Sequence, residues 1–304
     1  MSKHVAVLMG GWSAEREVSL VSGAAVVEAL QEQDYEVTAI DVGHTVASTL
    51  AEMKPDVCFN ALHGRFGEDG CIQGVLETLG IPYTHSGVMA SAMAMDKPLA
   101  KKLYDAIGLP TVEGGVFHRD QVLAGDVMEA PYVIKPLNEG SSVGVKIVTG
   151  EEKELPFQSE AWHYGEEVLV ERYVPGREVQ VAVMDNKALG AIEIRPKKQF
   201  YDYEAKYSDG FAEHLMPAPI DKGVYDDVMQ MAEEAHKVLR CRGVTRTDFR
   251  YDDTAGEPGK LFILETNTQP GMTPLSLTPE IAAHVGISFG GLVDWLVRDA
   301  SCQR

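Results

Sequence analysis

The chain has 304 residues, 45% of them hydrophobic, and a formal net charge of −19. This length allows two or three domains with a substantial core, and the charge argues against binding to nucleic acid or to an anionic membrane. Four cysteines without metal-binding spacing, and no stretch apolar enough for a signal peptide or a membrane span, predict a cytoplasmic protein with reduced thiols.

The first ninety or so residues are patterned as an open α/β domain. Residues 5–9 are continuously apolar, which is typical of a buried parallel strand, and further strands are predicted at residues 37–40 and 57–61. Gly10 and Gly11 lead into a helix that is predicted to begin near Ser13, a good N-cap residue. Ligands of such sheets bind where the strands end, so the loops after the first and third strands are candidate site loops.

Two residues of these loops are candidate ligand contacts. Glu15 lies in the first turn of the predicted helix, where the helix dipole alone favours an acid and where a carboxylate could instead bind a substrate ammonium group. His63 could be a general base, an anion ligand or a loop histidine with satisfied hydrogen bonds. The residues alone leave these alternatives open.

The middle of the chain begins with a predicted helix at residues 96–107, followed by strands at residues 132–135, 143–148 and 167–173. Lys135 ends the first of these strands, shortly before the glycine- and serine-rich residues 140–144. Such a loop is either a phosphate cradle or a plain hairpin turn. Glu171 and Glu178 flank a Pro-Gly turn and either bind a ribose and an adenine or are solvated strand ends.

The last third has a long polar loop at residues 195–216, a predicted helix at residues 222–239 and strands at residues 243–251 and 261–264. Three tyrosines lie within residues 201–207 of the loop. A solvent loop needs no such aromatic residues, so they predict a lid that keeps water from a reactive intermediate.

Oxygen-bearing side chains cluster on the last two predicted strands. Asp248 lies on the first, and Glu265 and Asn267 share one face of the second because they are two positions apart. These oxygens suit Mg²⁺ bound together with phosphates, and Arg246 could stabilise charge on a transferring phosphoryl group. Polar residues at ordinary strand ends are the alternative, but the Glu-x-Asn alternation directly after four apolar residues favours a metal site and ATP chemistry.

Five segments resemble those of the bacterial D-alanine–D-alanine ligases, an ATP-grasp family of peptidoglycan precursor synthesis. They are residues 10–19 (GGWSAEREVS), 63–70 (HGRFGEDG), 139–144 (EGSSVG) and 201–207 (YDYEAKY), and Asn267 with residues 270–273 (PGMT). The resemblance, which runs end to end, implies an α/β (α+β) class: a three-domain ATP-grasp fold with an N-terminal open parallel α/β domain. The expected domains are residues 1–95, 96–180 and 181–304, with ATP between the antiparallel sheets of the last two.

The resemblance also implies roles for individual residues. Two Mg²⁺ (or Mn²⁺) ions would be bound, one by Asp248 and Glu265 and the other by Glu265 and Asn267. ATP would contact Lys97, Lys135 and Lys206 through its phosphates, Ser142 above them, and Glu171, Val174 and Glu178 through adenine and ribose. The first D-alanine would meet His63 and Glu15, with Glu15 linked to Ser141 and Tyr207. The oxyanion would be stabilised by Arg246 and the Gly271 N–H, and the second D-alanine carboxylate by Ser276 and Leu277.

The implied reaction forms D-alanyl phosphate from D-alanine and ATP, and a second D-alanine then displaces phosphate to give D-alanyl-D-alanine. A D-alanine–D-lactate ligase is the nearest alternative, against which Tyr207 counts because that branch lacks this tyrosine. A catalytically silent nucleotide-binding protein is another, against which the complete set of implied ligands counts. The resemblance further implies a homodimer whose partners are D-alanine and ATP.

Overall fold

The computed structural model describes residues 2–125, 127–140, 143–151, 164–196 and 212–302. Four of the predicted site residues therefore lie outside the described residues: Ser141, Ser142, Lys206 and Tyr207. The whole predicted lid segment at residues 201–207 lies outside them as well.

The N-terminal part is built on a parallel sheet in the order β2-β1-β3. Its strands are β1 (His4–Met9), β2 (Glu36–Asp41) and β3 (Val57–Asn60), and its helices are α1 (Arg16–Gln31), α2 (Val46–Met53) and α3 (Cys71–Leu79). The central strand is buried on both faces: Val5 and Val7 pack on one side, Ala6 and Leu8 on the other. This burial is the reason that the strand is apolar without alternation.

Two helices lead to an antiparallel four-stranded sheet in the order β4-β7-β5-β6. The helices are α4 (Val88–Met95) and α5 (Lys97–Ala106), the latter capped by Asp96, which accepts a hydrogen bond of 3.0 Å from the Leu99 N–H. The strands are β4 (Gly114–His118), β5 (Tyr132–Pro136), β6 (Lys146–Val148) and β7 (Glu167–Arg172), with α6 (Arg119–Ala124) between the first two.

A second antiparallel sheet has the order β10-β9-β8-β11-β12. It comprises β8 (Arg177–Met184), β9 (Lys187–Pro196), β10 (Ala212–Leu215), β11 (Val244–Asp252) and β12 (Lys260–Asn267). Helix α7 (Lys222–Val238) packs on one face of this sheet. Helices α8 (Leu277–His284) and α9 (Phe289–Asp299) follow, and Leu292 and Leu296 of α9 join the core around Val5 and Val7.

Three sequence-based element limits differ from the structure. Helix α1 begins at Arg16, three residues after Ser13, whose hydroxyl accepts a hydrogen bond from the Glu15 N–H (3.2 Å) and donates one to the His63 carbonyl (2.7 Å). Strand β6 begins at Lys146 rather than at residue 143. The predicted loop at residues 195–216 contains β10, which pairs with the end of β9.

The three sheets correspond to successive thirds of the chain, but the domain limits at 95/96 and 180/181 stay a prediction. Since β8 begins at Arg177, we propose that the second limit lies in the turn before it. In the described ranges no single helix is long and apolar enough to span a membrane. The helix pair Leu277–His284 and Phe289–Asp299, bent by 104°, reaches the required length and apolar composition only when the two are taken together.

Candidate active site

A cavity of about 520 Å³ lies between the two antiparallel sheets. Its walls are apolar at Val133, Ile147 and Ile194. Its charged lining includes Lys97, Lys135, Glu171, Glu178, Asp248 and Glu265, all of them predicted site residues. A slot with apolar walls and both cationic and anionic groups suits a ligand that combines a flat ring with phosphates.

At one end of the cavity Glu171 lies between two lysines. Lys135 on β5 donates to its Oε2 (2.5 Å), and Lys101 on α5 donates to its Oε1. Burial would raise the pKa of Glu171, but the ammonium groups of Lys135 and Lys101 outweigh that effect and hold the pKa below its usual value. Glu171 is therefore a buried, ionised carboxylate that fixes the position of Lys135.

Lys97 contacts both the loop that contains Glu139 and the carboxylate of Glu265. It is the first residue of α5, and its ammonium group donates to the Glu139 carbonyl and lies 3.5 Å from Oε2 of Glu265. Lys97 is 9% exposed although it lines the cavity. It can therefore meet an anionic ligand only from inside the cavity.

The carboxylates come together through the register of β11 and β12. Asp248 is the cross-strand partner of Glu265, and Arg246 is the partner of Asn267. A register shift after Asp248 interrupts the ladder at this point, as is common beside active sites. Arg246 donates two hydrogen bonds to Asp248, of 2.7 Å and 2.9 Å, so the guanidinium and the carboxylate orient each other.

These residues fit a divalent ion by their donor chemistry. Among the described residues no group of three or more His, Cys, Asp or Glu side chains is arranged for a metal, so the candidate ligands are two carboxylates and an amide. Asn267 accepts a hydrogen bond of 2.7 Å from the Gln269 N–H, which holds its Oδ1 in place. Mg²⁺ takes few protein oxygens and completes its shell with phosphate and water, and both carboxylates line the cavity where phosphates would lie.

Glu15 lies where the N-terminal loops meet the loop of the middle sheet. It is 5% exposed. An added Cβ at Gly64 would lie 2.5 Å from its Oε2, and one at Gly140 would lie 3.1 Å from the same atom. The two glycines therefore make room for the carboxylate.

His63 is buried beside Glu15. Its Nε2 is 3.0 Å from the Ser22 hydroxyl, and burial, followed by the charge of Arg246, lowers its pKa to about 4. Glu68 accepts a 2.6 Å hydrogen bond from the Gly64 N–H, and burial and the charge of Glu15 raise its pKa well above the usual value. Burial thus shifts the pKa values of His63 and Glu68 in the direction that favours their neutral forms.

The predicted site of the second substrate lies on the loop before α8. Ser276 is the N-cap of α8, and its hydroxyl accepts a 2.9 Å hydrogen bond from the Thr273 N–H. An added Cβ at Gly271 would lie 2.7 Å from this hydroxyl. The Leu277 side chain is buried in the core, so only its backbone N–H can meet a ligand.

Most described site residues predicted from the sequence lie around this cavity or beside Glu15. Val174 lines the cavity and is held by Arg250, which donates to its carbonyl, and Glu178 accepts a 3.2 Å hydrogen bond from Gln180. Lys101 and Glu68 had no predicted role. The sequence did contain a signal for Lys101: it lies four residues after Lys97, and therefore on the same face of the predicted helix.

The chain matches family models over nearly its whole length. The model described as D-ala D-ala ligase C-terminus matches residues 103–298, and the D-ala D-ala ligase N-terminus model matches residues 4–53 and 43–86. A D-alanine--D-alanine ligase of Parvibaculum lavamentivorans is 55% identical over 305 residues (100% of this chain, 99% of the relative). D-alanine--D-alanine ligase B of Mesorhizobium japonicum is 56% identical over 306 residues, with the same coverage.

Two solved structures are also similar to this chain. D-alanine--D-alanine ligase from Bacillus anthracis complexed with ATP has 31% identity and a TM-score of 0.81, covering 98% of this chain and 97% of that one. VanG D-Ala:D-Ser ligase from Enterococcus faecalis has 29% identity and a TM-score of 0.80, covering 98% of this chain and 99% of that one. The expected ATP-grasp class is confirmed by this likeness.

Proposed function

The chain belongs to the D-alanine–D-alanine ligase family and catalyses the ATP-dependent joining of two D-alanine molecules, and from this premise we propose how its residues divide the work. The observation that carries the proposal is the cavity between the antiparallel sheets, lined by Lys97 and Lys135 and by the opposed carboxylates Asp248 and Glu265. The product, formed through D-alanyl phosphate, would serve as a peptidoglycan precursor.

ATP lies in this cavity. Its adenine and ribose lie near Val174 and Glu178, among the apolar walls, and its phosphates meet Lys97 and Lys135. Glu171 acts here chiefly by holding Lys135, because both of its oxygens contact lysines. Ser142 and Lys206 cover the phosphates in the proposal, although both lie outside the described residues.

Asp248, Glu265 and Asn267 would hold two Mg²⁺ or Mn²⁺ ions, and Glu265 would serve both. A bound divalent ion supplies Lewis-acid stabilisation of charge on the phosphate oxygens. Lys97, 3.5 Å from Glu265, offsets part of the negative charge of this carboxylate.

The first D-alanine binds through its ammonium group to Glu15, which is linked in the proposal to Ser141 and Tyr207. Its carboxylate then attacks the γ-phosphate, and ADP leaves. His63, neutral near pH 7 because its pKa is about 4, offers this substrate a hydrogen bond without adding charge. The lid at residues 201–207 protects the acyl phosphate from water.

The second D-alanine attacks the acyl phosphate through its amine, and phosphate leaves. Arg246 and the Gly271 N–H stabilise the negative oxygen of the tetrahedral intermediate, and Ser276 and the Leu277 N–H receive the carboxylate. Arg246 keeps its orientation through its paired hydrogen bonds to Asp248. The ligase acts in the cytoplasm, as a homodimer, without nucleic acid or membrane partners in this proposal.

The test is ADP release by the purified chain with ATP, Mg²⁺ and D-alanine. We expect release to require both the metal and D-alanine, with L-alanine giving only background. Equal release with both enantiomers, or without either, would reject the proposed assignment. D-lactate in competition with D-alanine at neutral pH checks the alternative product.

A further inference from the structure

Lys101 occupies an unusual place for a lysine. It lies on α5, and its residue is only 8% exposed. Its ammonium group donates to Glu171 and to the Val112 carbonyl (2.5 Å). A lysine is almost never buried to this extent unless it is paired, so the contacts with Glu171 and Val112 account for its position.

Lys101 does not line the nucleotide cavity, whereas its partner Glu171 and the next lysine, Lys135, do. The three side chains form a chain in which each oxygen of Glu171 contacts a different lysine. Val133, which lies opposite Glu171 in the β5–β7 register, precedes Lys135 on the same face of β5. A contact that holds the Glu171 carboxylate in place therefore also holds the ammonium group of Lys135, which lines the cavity.

The charges of Lys101, Glu171 and Lys135 bear on how the cavity attracts an anionic ligand. A pair of Lys135 and Glu171 alone would carry no net charge, and Lys97 lies 3.5 Å from Glu265 in the same way. With Lys101 the three groups carry one net positive charge. In a protein whose net charge is −19, local cations are needed to attract a polyanionic nucleotide.

We propose that Lys101 is a positioning residue for the nucleotide site: it holds Glu171 in place and offsets its charge, so that Lys135 stays available to the phosphates. The inference rests on the proposed function, because it needs a nucleotide in the cavity. Lys101 touches neither ATP nor D-alanine and acts through Glu171.

The experiment compares Lys101→Met with Lys102→Met, which removes an exposed lysine from the same helix. We expect the Kd of ATP and of ADP, measured calorimetrically with Mg²⁺, to rise about tenfold in Lys101→Met and to stay within about twofold in Lys102→Met. The Kd of adenosine, which has no phosphate, should change little in either variant. Unchanged ATP and ADP binding, or an equal loss for adenosine, would overturn the inference.

A double-mutant cycle tests the route through Glu171. In a Glu171→Gln background there is no carboxylate for Lys101 to hold or to offset, so adding Lys101→Met should raise the Kd of ADP by clearly less than the tenfold expected in the wild type. A tenfold loss that persists in this background would show that Lys101 acts by another route. Lys101→Arg keeps the charge and should retain most of the affinity.

Removing one partner of a buried ion pair is destabilising, so thermal midpoints are recorded for every variant. If Lys101→Met does not fold, Lys101→Gln, which still donates a hydrogen bond, gives the same comparison. ADP release by the wild-type chain with D-alanine is measured first. Its absence would reject the proposed function, whereas normal wild-type turnover with unaffected Lys101 variants would reject only this inference.

Discussion

Asp248 and Glu265 stand opposite each other in the paired register of β11 and β12. Arg246 fixes the first with two hydrogen bonds, and Lys97 lies 3.5 Å from the second. Each carboxylate thus has one neighbouring cation, Arg246 for Asp248 and Lys97 for Glu265, and both carboxylates line the same cavity.

Glu265→Gln should abolish metal-dependent turnover, because it removes the charge shared between the two proposed ions. We expect kcat for ADP release to fall by at least about a hundredfold, with a thermal midpoint close to that of the wild type. The matched control is Glu257→Gln, a change in an exposed loop. Wild-type-like turnover of Glu265→Gln would remove Glu265 from the metal site.

Glu15→Gln should weaken binding of the first D-alanine, because an amide cannot offset the ammonium charge. We expect kcat/KM for D-alanine to fall by a factor of ten to a hundred, roughly, while the Kd of ATP changes little. Glu17→Gln is the control, since Glu17 is exposed two residues further along. Equal effects of the two changes would mean that the loss reflects general charge and not a substrate contact.

Tyr207→Phe should loosen the selectivity between dipeptide and depsipeptide products, because the lid tyrosine would lose its link to Ser141 and Glu15. The measurement is the ratio of D-alanyl-D-alanine to D-alanyl-D-lactate formed from mixed substrates at neutral pH. Tyr201→Phe, in the same segment, serves as the comparison. An unchanged ratio in Tyr207→Phe would end this role for the residue.

His236 should make the protein less stable in acid. Its Nδ1 lies 2.8 Å from the Thr245 hydroxyl, and burial, followed by the charge of Lys237, lowers its pKa from 6.5 to about 4. Between these values the unfolded chain binds more protons, so the contribution is complete above pH 6.5 and is lost as the pH falls towards 4, by roughly 3 kcal/mol. Calorimetric thermal midpoints of His236→Gln should therefore fall less steeply with acid than those of the wild type. Parallel curves would contradict the assignment.

The sequence predicted most strands, because strands depend on local pattern, whereas the assignment of the metal residues stays a prediction. Continuous apolar residues predicted β1, and the Glu-x-Asn alternation predicted the shared face of Glu265 and Asn267. The predicted start of α1 was three residues early, and no local pattern shows the hydrogen bond from the Ser13 hydroxyl to His63, fifty positions away.

Lys101 escaped prediction for a related reason. A lysine on an amphipathic helix normally extends to solvent, and only the tertiary fold brings Lys101 of α5 to Glu171 of β7. The sequence predicts which residue types can carry the chemistry. Which of them lie next to each other depends on contacts between distant segments.

Helix α9 shares one apolar cluster with α1, β1 and β3, so segments from near both ends of the given sequence meet in one core. Val5 and Val7 are almost three hundred residues away in sequence from Leu292 and Leu296 of the same cluster. Completing this core therefore requires a very long loop to close, which is a slow step in folding because its entropy is lost before the contacts form.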